Sequence, residues 1–128
     1  MINKRIEFTI HGIPRGGKNN MGVTRTGIHY PKPLFREWRD RVIHDLKLTM
    51  SESKDSCVYF DCPMLMRVFY WHGDNRRRDV PAMLDGLFHC FERAGLIKDD
   101  SLIKQIEWFP YGYDKTNPRI EIKIEELL

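Results

Sequence analysis

Two amphipathic helical stretches set among period-two segments predict a two-layer α+β domain, a mixed β-sheet packed against two main helices. The order of elements carries the reading: strand, hairpin, helix, strand, helix, strand, strand. Length supports it, because 128 residues can bury one core without disulfides or metals. No repeat, low-complexity segment or linker interrupts the chain, so residues 1–128 are read as a single domain.

Arg5 to His11 alternates apolar and polar and reads as a first strand. Gly12-Ile13-Pro14-Arg15-Gly16-Gly17-Lys18-Asn19-Asn20 breaks regular structure and offers backbone N–H groups beside two cations. It is a connecting loop or a phosphate cradle, and it is not a Walker A sequence. Val23 to Tyr30 reads as a short hairpin across Thr26-Gly27. From Pro33 to about Leu48, Leu34, Phe35, Trp38, Val42, Ile43 and Leu46 recur at helical spacing, with Pro33 suited to the first turn.

Ser51 to Ser56 reads as a polar linker. Cys57 to Trp71 is rich in aromatic and β-branched residues and reads as one or two strands, with a turn near Cys62-Pro63. The second helix is expected over Val80 to Arg93. Its stripe of Val80, Met83, Leu84, Leu87, Phe88 and Phe91 is followed by Gly95 as a C-terminal breaker. Ser101 to Phe109 and Arg119 to Ile124 complete the sheet, joined by a loop from Pro110 to Pro118.

Composition narrows the function classes. No apolar run approaches the ~20 residues of a membrane span, and the N-terminus lacks the continuous apolar core of a signal peptide. Cys57, Cys62 and Cys90 are odd in number and lack metal-type spacing, which argues for reduced thiols in a cytoplasm and against structural zinc. The net charge of +3 is uneven. Residues 1–50 carry ten Lys/Arg against four Asp/Glu, and residues 51–128 carry eleven against fourteen. A basic half beside an acidic half suits a phosphate-binding surface next to a metal-binding one, although scatter produces such splits too.

The segment with chemistry runs from His72-Gly73-Asp74-Asn75 through Arg76-Arg77-Arg78-Asp79 to Asp99-Asp100. Each acid has an ordinary structural role available: Asp79 as an N-cap, Asp99-Asp100 as a polar turn, Asp85 on a solvated face. Together they offer carboxylates on a helix start, a helix face and a strand entry, beside a triple-arginine run. Phosphodiester hydrolysis needs such a set, because a hard cation held by carboxylates polarises the phosphoryl oxygen and activates water. Asp79, Asp85 and Asp100 are the expected catalytic and metal-binding acids, with Asp99 as a further ligand, and are expected to lie ~4–8 Å apart. Arg15, Lys18, Asn19, Asn20, Arg76, Arg77 and Arg78 are the expected DNA contacts. Asp74, His89 and Glu92 are accessory candidates, the last two sharing the exposed helix face with Asp85 at i, i+4, i+7.

These residues resemble the RusA family of Holliday-junction resolvases. The resemblance lies in Phe8-Thr9-Ile10-His11-Gly12-Ile13-Pro14 with Lys18-Asn19-Asn20, in Arg76-Arg77-Arg78-Asp79, in Asp85-Gly86-Leu87, and in Arg93-Ala94-Gly95-Leu96-Ile97-Lys98-Asp99-Asp100. The Asp79-to-Asp100 separation of 21 matches the family's arrangement. The resemblance implies a RusA-like fold and a homodimer that cuts four-way DNA junctions with Mg²⁺, or alternatively Mn²⁺. Metal-binding acids are then implied at Asp79 and Asp100. The family's D-x-D-N-x-x-K pattern departs here, since Pro81 replaces the second acid and Asp85 the lysine. Asp85, one turn on, restores the carboxylate; or Asp74-Asn75 substitutes for the missing pair; or the domain binds junctions without cutting. A structural or interaction domain with Asp79 as a cap is the reading outside DNA chemistry.

Overall fold

A computed structural model describes residues 4–12, 21–31, 33–52, 58–73 and 80–127. The elements are β1 (Arg5–His11), β2 (Met21–Val23), β3 (His29–Pro31), α1 (Pro33–Glu52), β4 (Met64–His72), α2 (Val80–Ala94), β5 (Ile103–Tyr113) and β6 (Arg119–Glu126). Four strands form one sheet in the order β1-β6-β4-β5, and β2 and β3 pair only with each other in a separate ribbon. β1 and β4 both run antiparallel to β6, whereas β4 and β5 are parallel. A parallel pair requires a crossover, and α2 supplies it. The fold is the predicted α+β arrangement of a mixed sheet and two helices.

The core lies where the helical and strand periodicities meet. β1 buries Ile6, Phe8 and Ile10, and β6 buries Ile120, Ile122 and Ile124 from the paired register Ile10↔Ile120, Phe8↔Ile122, Ile6↔Ile124. α1 contributes Phe35, Trp38, Val42 and Leu46, and α2 contributes Met83, Leu87, Cys90 and Phe91. Phe8 meets Phe91 edge to face at 5.6 Å, tying the first strand to the second helix. Burying each of these side chains stabilises the fold by ~1.5–3 kcal/mol before entropy is counted.

Four boundaries differ from the sequence expectation. α1 continues through Ser51 and Glu52 rather than stopping near Leu48. Its last polar residues face water, where Thr49 Oγ1 and Ser51 Oγ donate back to the carbonyls of Asp45 and Leu48. Leu34, placed on the apolar stripe, is 62% exposed, while Phe35 beside it is buried, so the stripe enters the first turn through Phe35. Ser101 and Leu102 belong to a short 3₁₀ turn (Asp100–Leu102), so β5 begins at Ile103. β5 also runs through Pro110 to Tyr113; Pro110 is tolerated because the strand is at the sheet edge and its register shifts beside it. The expected strand in residues 57–71 is β4 alone, preceded by an isolated bridge from Phe60 to Ile97.

The hairpin, the first strand, the second helix and its Gly95 stop agree with expectation. Gly95 adopts φ +78. Leu96 N–H donates to Phe91 O (3.0 Å) and Gly95 N–H to Glu92 O (3.1 Å), the paired bonds of a Schellman ending. Away from the helices, Phe69, Trp71, Phe109 and Tyr111 cluster on the open sheet face, with Arg119 over Trp71 and Lys123 over Phe69. No helix among the described residues is long and apolar enough to cross a membrane.

Candidate metal centre

The Schellman turn fixes where the chain goes after α2. Leu96 and Ile97 are buried, and Phe60 clamps them: Phe60 N–H donates to Leu96 O and Lys98 N–H to Phe60 O, both at 2.9 Å. The next residues, Asp99 and Asp100, therefore emerge at the surface from a held backbone. Asp99 caps the 3₁₀ turn, its side chain accepting from Ser101 N–H at 2.8 Å. Glu92, on the last turn of α2, reaches across so that its Oε1 accepts Asp100 N–H at 2.9 Å.

This brings three exposed carboxylates together, Glu92, Asp99 and Asp100, with one oxygen from each within 4.8 Å of the others. An all-oxygen, partly solvated set of this kind matches what Mg²⁺ or Mn²⁺ takes, with water filling the remaining positions. Electrostatics divides the pair of aspartates. Hydrogen bonds from Ser101, then from Asp100, and the charge of Lys98 hold Asp99 below the usual carboxylate range. Desolvation, the hydrogen bond and charge of Asp99, and the charge of Asp85 push Asp100 above it. Crowded anions of this sort are relieved by a proton or by a cation.

Asp85 and His89 share the exposed face of α2 but stand outside the three-carboxylate group. Asp85 acts on Asp100 through space. His89 is held below its usual range by partial burial and by Arg93 and Arg39, against the opposing pull of Glu92 and Asp85. Arg39, from α1, is a neighbour that sequence reasoning missed; its position off the apolar stripe of α1 was the available signal. Glu92, expected only as accessory, is integral to the cluster.

The expectations for Arg15, Lys18, Asn19, Asn20, Asp74, Arg76, Arg77, Arg78 and Asp79 lie outside the described residues. The helix between Asp79 and the cluster is described, and its length matters. Val80 and Glu92 are twelve residues apart on α2, which at 1.5 Å per residue is about 18 Å. Val80 and Glu92 thus stand near opposite ends of one rod. Asp85 is seven residues before Glu92, about 10 Å along the axis. Asp85 and Asp100 are near enough for the charge of Asp85 to raise the Asp100 carboxyl, and the expected ~4–8 Å spacing of the three acids involves Asp79, which lies outside the described residues.

No family model matches the chain. Among characterised proteins, the chain is similar to the crossover junction endodeoxyribonuclease RusA of Aquifex aeolicus (strain VF5), with 25% identity over 104 residues, covering 80% of this chain and 78% of that protein.

Proposed function

We propose that this chain is a Mg²⁺-dependent endonuclease that cuts phosphodiester bonds at four-way DNA junctions as a homodimer, with Mn²⁺ as the alternative ion. The observation that carries the reading is the Glu92–Asp99–Asp100 carboxylate group at the end of α2, in a chain similar to a crossover junction endodeoxyribonuclease. Asp99 and Asp100 hold the ion, with Glu92 beside them, and Asp79 completes the set. A bound cation would polarise the phosphoryl oxygen and lower the pKa of a water. Arg76, Arg77, Arg78, Arg15 and Lys18, with Asn19 and Asn20, hold the flanking phosphates.

In this reading the dimer is part of the chemistry. A twofold axis beside α2 sets the start of one helix against the end of its mate's, so that Asp79 of one chain joins Asp100 of the other. Two identical composite sites follow, one for each of the two cuts that resolving a junction requires. Asp85 then tunes Asp100 by its charge. The free thiols Cys62 and Cys90 fit a reducing, cytoplasmic setting, and residues 1–128 act as one domain.

One observation favours a second reading. Pro81 stands where the family pattern has an acid, which fits a module that binds junctions without cutting them. The test is a labelled four-way junction and a linear duplex, each with and without Mg²⁺, incubated with wild type, Asp79→Asn, Asp85→Asn and Asp100→Asn. Mg²⁺-dependent junction cutting that is lost in Asp79→Asn and Asp100→Asn is the expected result. Tight junction binding with no cutting under Mg²⁺ or Mn²⁺ rejects the nuclease in favour of the binding module, and no preference for junctions rejects both.

A further inference from the structure

The β2–β3 ribbon is the one described element whose strands join no other part of the sheet. Every residue from Val23 to His29 is exposed, including the apolar Val23 (56%) and Ile28 (63%). Short two-stranded ribbons are marginal by themselves, and this one is closed by a hydrogen-bonded turn. Thr24 N–H donates to Ile28 O (2.9 Å) and Gly27 N–H to Thr24 O (3.0 Å). Thr24 Oγ1 accepts Ile28 N–H at 3.0 Å and bonds Thr26 Oγ1 at 3.0 Å. Gly27 takes φ +85 with nothing within 4 Å of an added Cβ, so the turn is shaped by backbone need and not by packing.

Charge says what such an arm faces. From Phe8 to Arg36 the chain has no Asp or Glu, and it carries Arg15, Lys18, Arg25, Lys32 and Arg36. Arg25 sits in the turn itself, and no ion pair among the described residues engages it. By contrast, Arg67 and Arg119 on the sheet are each paired with carboxylates. The register Val23↔His29 puts Val23 and the next pair, Thr24 and Ile28, on alternate faces of the ribbon, so each face near the tip carries one exposed apolar side chain, Val23 on one and Ile28 on the other. We infer that this hairpin is a DNA arm. Arg25 contacts a backbone phosphate, and Val23 and Ile28 form a wedge against bases exposed where duplex arms separate. The inference rests on the branched-DNA reading and assigns a surface to it.

The test measures binding in metal-free buffer, where cutting does not intervene, by fluorescence anisotropy on a four-way junction and on linear duplex across a salt series. Arg25→Ala is expected to reduce the slope of log K against log[salt] by about 0.9 on both substrates, the signature of one lost phosphate contact. Val23→Ser/Ile28→Ser is expected to weaken junction binding about tenfold while leaving linear duplex nearly unchanged. It is also expected to abolish the fluorescence rise of 2-aminopurine placed at the branch point. Wild-type binding with unchanged slope and affinity in these variants overturns the arm alone. Wild type that binds no DNA overturns the branched-DNA reading and the arm together. A wild-type dimer that becomes monomeric in Val23→Ser/Ile28→Ser assigns the hairpin to a second copy of the chain and overturns the DNA contact.

Discussion

Co-expressing two differently tagged chains, one Asp79→Asn and the other Asp100→Asn, separates a composite site from a single-chain one. Two ligands on one Mg²⁺ each approach to ~2.1 Å, so their oxygens lie ~3–4 Å apart. The twelve-residue span from Val80 to Glu92 is about 18 Å along the helix, and the proposed composite site joins the start of one α2 to the end of its mate's. In the heterodimer, one composite site then carries both substitutions, and the other keeps Asp79 and Asp100 unaltered. About one half of the sites should be intact, whereas each parental homodimer has none. The assay is a supercoiled plasmid with an extruded cruciform: two coordinated cuts give a linear product, and one cut gives a nicked circle. Purified heterodimer should nick under Mg²⁺ and yield almost no linear plasmid, while both parents leave the plasmid supercoiled. A heterodimer as inert as its parents, when wild type is active, refutes the reasoning from helix length. It would place both acids' work within one chain.

Other expected outcomes test the local physics. Gly95→Ala should cost about 1 kcal/mol, because φ +78 is disfavoured for an L side chain while no atom crowds the added Cβ; a lower urea midpoint at unchanged slope is the readout. The Asp100 carboxyl is raised by desolvation, by Asp99 and by Asp85. In the metal-free protein its ionised form therefore disfavours the fold above its ordinary titration range, a penalty relieved as pH falls through the raised value. Asp85→Asn should move the Asp100 transition, followed by ¹³C carboxyl NMR, to lower pH; no movement would remove Asp85 from the site's electrostatics. Cys90 is fully buried, and its thiol is pushed up to about 12 by burial. It should resist a disulfide reagent in the native protein and be labelled only as the protein unfolds, so rapid native labelling of Cys90 would contradict its packing.

The fold was legible because its signals are local and redundant. β1 alternates, α2 repeats its apolar residues at i, i+3, i+4, i+7, and Gly95 stops it at the residue where a left-handed turn is needed. The misplaced boundaries share a cause: residues that look wrong for an element are tolerated where tertiary context removes the penalty. Pro110 sits in a strand because β5 is the edge strand of the sheet among the described residues, and Ser51 stays helical because its side chain satisfies a carbonyl of the final turn. Leu34 fails in the opposite sense: it and Phe35 are both apolar, and only Phe35 lies in line with the buried Trp38, Val42 and Leu46.

The Asp99–Asp100 end of the site was legible in the sequence, while Glu92 was read only as an accessory, and the reason is geometric. Arg76-Arg77-Arg78-Asp79 and Asp99-Asp100 look like two halves of one motif because Asp79 and Asp100 are 21 residues apart in sequence. Most of those residues form a helix, and a helix turns sequence separation into distance along a line. The same apolar spacing that revealed α2 already fixed its rise, so the separation of its ends was available from the sequence once the helix was accepted. The joining of Glu92 to Asp100 was not available, because it depends on how the Schellman turn and the Phe60 clamp fold the chain back beside the last helical turn. The fold-back thus assembles three carboxylates that are up to eight residues apart in sequence, and the proposed twofold axis would add Asp79 to both copies through one interface.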